Sequence, residues 1–121
     1  MSTLKVNTIQ NTSGGSSSTP EQIEQGRAKV WIRYNNSATT IQASFGVSSI
    51  TDRGTGLTDI NFSSSFSDAN YAFAGMCSND NNMLAIATDY ADPTASKVSI
   101  RSTDAGNSFQ DSTNIGVVIF R

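Results

Sequence analysis

The chain has no histidine, one cysteine, two prolines and one tryptophan in 121 residues, and only 15% of its residues are charged. Each shortage excludes something. Without histidine there is no Ser–His–Asp relay and no His-ligated zinc. Cys77 alone makes no intrachain disulfide and no cysteine-rich metal knuckle, so no metal or other cofactor is expected. No apolar run approaches the ~18 residues that span a bilayer. The opening Met1-Ser2-Thr3-Leu4-Lys5 lacks the apolar centre of a signal peptide. The basic residues Lys5, Arg27, Lys29, Arg33, Arg53, Lys97, Arg101 and Arg121 are scattered, and the net charge is −2. That pattern argues against a nucleic-acid footprint.

What the chain does have is uncharged polarity. Ser, Thr, Asn and Gln supply 48 of its 121 residues. Disorder usually needs low hydrophobicity together with high net charge, and this chain lacks the second condition. Six Phe, three Tyr and the Trp are available for a core. Thr, Val, Ile and aromatics favour strands, while Asn, Gly, Ser and Asp favour the turns between them. The expected class is therefore all-β: an antiparallel sandwich or barrel-like domain. A domain this small buries only ~65% of its unfolded surface. With 36% hydrophobic residues, sharing apolar surface with further copies would add stability, so an oligomer is expected.

Residues 1–27 differ from the rest and read as an extended N-terminal arm with a short helix. Leu4, Val6 and Ile9 suit a short extended segment. Asn11 to Ser18 reads as a flexible linker. Thr19-Pro20-Glu21-Gln22 is a helix start: Thr19 as cap, Pro20 at the first helical position and Gln22 as capping-box partner. Gly26 suits a left-handed stop. Such a helix is too short to stand alone and must lean on something.

From Ala28 the period becomes two, and residues 28–121 read as the β-domain. Ala28, Val30, Ile32 and Tyr34 fall on one face, with Lys29, Trp31 and Arg33 on the other. A turn at Asn35–Ser37 leads to a strand through Phe45, with Ile41, Ala43 and Phe45 on one side. A bulge is expected at Gly46 and a hairpin loop over Thr51–Gly56. Strands are expected at Leu57–Phe62, Asn70–Cys77, Met83–Thr88 and Lys97–Arg101, with a hairpin loop at Asn79–Asn82. Ser102–Asn114 reads as a long polar loop. Ile115–Phe120 is almost continuously apolar, which predicts burial on both faces. Strands at this spacing are those of a sandwich or barrel.

Several residues are candidates for chemistry. Asp52 with Asp59, or Asp89 with Asp92, would serve glycoside hydrolysis if held roughly 5–9 Å apart; turn-forming Asp is the commoner use. Asn79-Asp80-Asn81-Asn82 offers oxygen ligands to calcium but lacks the full EF-hand pattern, which favours a turn. Cys77 has no base to activate it and reads as a buried structural thiol. No catalytic residue is therefore assigned. Trp31 and Arg33 are candidates for an oligomer interface, because Trp and Arg concentrate at protein contacts. Tyr71, Asn81 and Tyr90, with Asn79, Asn82 and Asn107, are candidates for a sugar-binding tip, against a plainer reading as core and loop residues. Leu4, Val6, Ile9 and Ile23 are candidate anchors by which the arm docks on a partner.

The order of these motifs carries a resemblance. Ser2-Thr3-Leu4-Lys5-Val6-Asn7-Thr8-Ile9 with Asn11-Thr12-Ser13-Gly14 resembles the start of virion proteins of tailed bacteriophages of the marine and cyanobacterial type. The join from Thr19-Pro20-Glu21-Gln22-Ile23 to Gly26-Arg27-Ala28-Lys29-Val30-Trp31-Ile32 is similar to the same group. So are Ser44-Phe45-Gly46-Val47-Ser48-Ser49-Ile50-Thr51-Asp52, Gly54-Thr55-Gly56, Ile60-Asn61-Phe62, Asp68-Ala69-Asn70-Tyr71 and Val117-Val118-Ile119-Phe120. The segment between Ala72 and Asn114 carries little of it. The resemblance implies a tail-fibre-like appendage or decoration subunit of the virion, often trimeric. With only ~27 residues before the domain in place of a long shaft, it implies a short spike, head fibre or adaptor. The expected partners are further copies of the chain and other virion proteins such as capsid, portal, tail or fibre. The alternative expectation is a module that recognises a host-surface glycan from the same particle.

Overall fold

The alternation that begins at Ala28 builds the first body strand, and its inward residues Val30, Ile32 and Tyr34 are all buried. The structure is a computed structural model describing residues 1–79, 82, 83, 85–87 and 93–121. Its elements run β1 (Ile9–Gln10), β2 (Ser17–Ser18), α1 (Pro20–Gly26), β3 (Ala28–Asn35), β4 (Thr40–Phe45), β5 (Val47–Gly54) and β6 (Leu57–Phe62). They continue with β7 (Ala72–Asn79), β8 (Asn82–Met83), β9 (Ala85–Ala87), β10 (Lys97–Thr103) and β11 (Asn114–Phe120).

Two antiparallel sheets form the body. One has five strands in the order β4-β3-β11-β7-β8, the other four in the order β5-β6-β10-β9. The expected β-sandwich is present. Its core takes Val30, Ile32, Tyr34, Ile115, Val117 and Ile119 from the first sheet. Ile60, Phe62, Val98 and Ile100 come from the second. Each such side chain contributes about 1.5–3 kcal/mol when fully buried. An aromatic cluster packs against this core, with Phe62, Phe66 and Tyr71 ring centroids 5.1–5.7 Å apart.

Two glycines shape the path. Gly46, expected as a bulge, is the corner where the chain leaves β4 in one sheet and enters β5 in the other. Its φ is +72°, and a Cβ there would lie 2.7 Å from the Lys29 carbonyl oxygen. The hairpin expected over Thr51–Gly56 is shorter than that. β5 runs on to Gly54, and Thr55-Gly56 alone turns into β6.

Other boundaries shift for physical reasons. The strand expected over Met83–Thr88 is two elements, β8 in the five-stranded sheet and β9 in the four-stranded one. β10 extends to Thr103, so the expected loop from Ser102 starts later. That loop is not a solvated excursion. Ser102, Thr103 and Ser112 are buried, and so is Asn36 in the turn after β3. The Asn36 amide donates to Asp111 Oδ1 at 2.8 Å, and Thr58 Oγ1 donates to the Asn36 side-chain oxygen. Local polar side chains thus hold the loop against the sandwich end, as buried polar groups require. β11 was expected to be buried on both faces. Ile115, Val117 and Ile119 are buried, but Gly116 is exposed and Val118 and Phe120 are half-buried, because the described residues cover that side only in part.

The arm lies outside both body sheets. The segment read as a flexible linker folds on itself: Ile9 pairs with Ser18 and Gln10 with Ser17. Gly14 (φ +77°) donates to the Asn11 carbonyl, supplying the turn. Helix α1 has the expected capping box: Gln22 N–H donates to Thr19 Oγ1 at 3.2 Å, and Thr19 N–H to Gln22 Oε1 at 2.9 Å. Gly26 does not make the expected left-handed stop. The helix ends because Arg27 turns extended and leads into β3.

Candidate functional site

Two exposed apolar surfaces stand out. The first is in the arm. Leu4, Val6, Ile9 and Ile23 are all exposed, and together they line one open hollow of about 460 Å³ with Lys5, Pro20 and Glu24. The capping box and the β1–β2 pairing explain how residues far apart in sequence meet there. Ile23 sits on α1, Ile9 on β1, and Leu4 and Val6 on the leader before β1. The Glu24 carboxylate accepts from Lys29 Nζ and pairs with Arg27 at 3.0 Å. The Lys29 hydrogen bond is the main cause that holds its pKa below the usual carboxylate value. This contact ties α1 to the first turn of body strand β3.

The second surface is the outer face of the five-stranded sheet. Register brings its residues into cross-strand rows. Phe45, Trp31, Val118 and Ala74 form one row across β4, β3, β11 and β7. Ala43, Arg33, Gly116 and Met76 form the next. Phe45 is 58% exposed, Trp31 42% and Met76 81%. Between the bulky ends lies a shallow hollow of about 440 Å³, floored by Ala74, Gly116 and Val118. An adjoining hollow of about 340 Å³ continues it past Met76 to Arg33 and Asn114. Arg33 is the one ionisable residue in the two rows, and its guanidinium donates to Asn114 Oδ1 at 3.0 Å. Trp31 and Arg33 were expected together on this face. Phe45, Met76 and Val118 were not joined to them by sequence, because the strand order that makes them neighbours has no sequence signature.

The outer face of the four-stranded sheet is the opposite in character. Asp59 is buried, with Lys97 Nζ donating to Oδ2 and Ser99 Oγ to Oδ1, each at 2.7 Å. Arg53 approaches the same carboxylate at 3.5 Å. Burial works to raise the Asp59 pKa, but the Lys97 and Ser99 hydrogen bonds and the Lys97 and Arg53 charges outweigh it. The carboxyl therefore sits below its ordinary value. Asn61 donates to Ser49 Oγ and Thr51 Oγ1, both at 3.0 Å. The Arg101 guanidinium lies 5.0 Å from the ring centroid of the exposed Phe109.

The remaining candidates separate. Asp52 caps the turn by accepting from Gly54 N–H at 2.8 Å, the turn-forming use, while Asp59 is committed to its cationic partners. Tyr71 is half-buried in the aromatic cluster. Its ring packs on Phe62 and Phe66, and its hydroxyl donates to the Lys97 and Thr94 carbonyls at 2.9 and 3.2 Å. Burial pushes that phenol up to about 12. Asn107 binds the Arg101 side chain. Asp80, Asn81, Asp89, Tyr90 and Asp92 lie outside the described residues. Cys77 is half-buried against the core, and burial pushes its thiol up to about 11, which disfavours the thiolate a nucleophile needs. Among the described residues, no group of three His, Cys, Asp or Glu converges as a metal site. Among them, too, no helix is long and apolar enough to cross a membrane.

Set against family models, curated proteins and solved structures, the chain matches none at a significant level.

Proposed function

We propose that the chain is a non-enzymatic structural subunit of a tailed-phage virion, a short fibre, spike, decoration or adaptor protein. In this reading it assembles as a homotrimer through its β-sandwich and docks on another virion protein by residues 1–27. The observation that carries the docking is the convergence of Leu4, Val6, Ile9 and Ile23 on one open hollow outside both body sheets. A monomeric protein gains nothing from ordering four apolar side chains where water covers them. Covered by a partner, each is worth up to about 1.5–3 kcal/mol in apolar burial. Residues Leu4–Thr8 precede β1 and lie in no strand of the fold, so in this reading they add main-chain hydrogen bonds to a partner strand. Three arms on one trimer add avidity even when each binds weakly. The virion setting rests on the resemblance of the leader and of the arm-to-domain join.

The test is incorporation. Particles are produced with the wild-type chain, with Leu4→Asp/Ile23→Asp, and with residues 2–18 deleted, and subunits per particle are counted by quantitative mass spectrometry. Loss of both altered chains from particles, with unchanged thermal unfolding of the body, is the expected result. Normal occupancy of either chain overturns the docking role.

A further inference from the structure

We infer that the outer face of the five-stranded sheet is the surface through which copies of this chain meet. The occupant is a second copy, with the Phe45–Trp31 ridge of one seated in the Ala74–Gly116 trough of the next. The inference deepens the self-assembling part of the reading above and rests on it.

Three observations converge. The first is area. Aromatic side chains bury about 150–250 Å² each, so the exposed parts of Phe45, Trp31 and Met76 with Val118 leave roughly 400 Å² of contiguous apolar surface. That reaches the range of the largest patch on a typical monomer. It also approaches the apolar share of the ~800 Å² that each partner buries in a standard interface. The second is charge. In the two rows only Arg33 is ionisable, and it stands beside Asn114 with its own hydrogen bond. A face with so little charge offers little to a strongly charged partner, and its own copy meets it with few charges to desolvate. Aromatic, Met and Arg residues with no Lys, Asp or Glu at the centre are the composition of interface cores.

The third is shape. One face carries both a ridge, Phe45 and Trp31, and beside it a trough floored by Ala74, Gly116 and Val118. A surface holding both halves of a fit is complementary to itself. Ridge into trough closes as a dimer when the contact is mutual and as a ring when it passes to the next copy. Strand β11 points the same way. Its run Ile115-Gly116-Val117-Val118-Ile119-Phe120 has the composition of a strand covered on both faces, yet among the described residues its outward side is covered only in part.

Sedimentation velocity and native mass spectrometry at about 10 µM decide it, a concentration at which an interface of this size class commonly holds. Met76→Asp and Phe45→Asp place a carboxylate in the contact, and Ile23→Asp in the arm is the control. Both altered positions are exposed in the single chain, so the fold is retained, which a thermal melt verifies. The expected result is an oligomeric wild-type and Ile23→Asp protein, with dissociation constants raised about 100-fold or more for each face variant, as a desolvated repulsive charge requires. If wild type and both face variants sediment alike as oligomers, this surface is wrong and self-assembly stands elsewhere. A monomeric wild type overturns both, and leaves the face to a different protein.

Discussion

Replacing Gly56 by alanine should be the most damaging single-methyl change in the body. Gly56 has a φ of +70°, and holding alanine there costs about 1–2 kcal/mol. The added Cβ would also lie 2.5 Å from the Ser102 carbonyl oxygen and 2.9 Å from the Gln110 nitrogen. Both are backbone atoms that cannot swing aside. Relief requires moving the turn, and the turn carries two further bonds. Ser102 N–H donates to the Gly56 carbonyl at 2.8 Å, and Gly56 N–H donates to Asp111 Oδ1 at 2.7 Å. Each is worth about 1–1.5 kcal/mol, so with the backbone cost the total is roughly 3–5 kcal/mol. Small domains hold only about 5–15 kcal/mol in all. At this chain length about 4 °C of midpoint accompanies each kcal/mol, giving a drop of roughly 12–20 °C.

The matched control is Gly14→Ala. Its φ of +77° is as demanding, but nothing lies within 4 Å of the new Cβ, and the turn belongs to the arm's separate two-stranded sheet. The body midpoint should then move by less than about 2 °C, because a local opening of the arm does not unfold the core. Circular dichroism melts at one fixed protein concentration compare the three chains. A Gly56→Ala midpoint within about 3 °C of wild type would refute the steric argument. A Gly14→Ala loss as large as that of Gly56→Ala would refute the independence of arm and body.

Two further outcomes follow from the titrating groups. Asp59→Ala removes the partner of Lys97, Ser99 and Arg53 and should cost about 2–3 kcal/mol in urea unfolding at pH 7, as loss of buried hydrogen bonds to a charge does. Because the folded pKa of Asp59 is depressed, its contribution is complete above the unfolded value of about 3.9 and disappears as pH falls through the lower folded value. Wild type should therefore lose more stability below pH 4 than Asp59→Ala, and parallel acid profiles would count against the ion pair. Cys77, with its thiol at about 11, should react at pH 8 with a disulfide reagent about 100-fold more slowly in the native protein than after denaturation; equal rates would mean that the core does not cover it.

The parts of the fold that sequence made legible are those set by one strand at a time. Alternation sorted Val30, Ile32 and Tyr34 from Trp31 and Arg33, because a half-covered strand writes its two environments at period two. Cap chemistry placed α1 from Thr19, Pro20 and Gln22 alone. What stayed hidden depends on which strands become neighbours. The pairing of β11 between β3 and β7 puts Val118 beside Trp31 and Ala74, across more than 80 residues of chain in one direction and 44 in the other. No local preference records that. The same holds for the buried Asn36–Thr58–Asp111 contacts, whose residues look like ordinary turn and loop polarity until the turns are packed together. The Tyr71 contacts are of the same kind: its hydroxyl donates to the carbonyls of Thr94 and Lys97, 23 and 26 residues away.

The two outer faces of the sandwich answer to different surroundings. On the four-stranded side, Asp59, Lys97, Ser99, Arg53, Asn61, Ser49 and Thr51 bond to one another across β5, β6 and β10, a polar surface suited to water. On the five-stranded side the strands present Phe45, Trp31, Val118 and Met76 with no polar partner for any of them to complete. Strand β3 links this side to the arm. Lys29 holds Glu24 of α1, and Trp31 and Arg33, two and four residues further along, share the outward side of the strand. The Lys29–Glu24 contact thus joins the arm to the same strand that carries Trp31 and Arg33. On the proposed reading, the contrast between the two faces is the polarity of a subunit held by a larger assembly with one face kept in solvent.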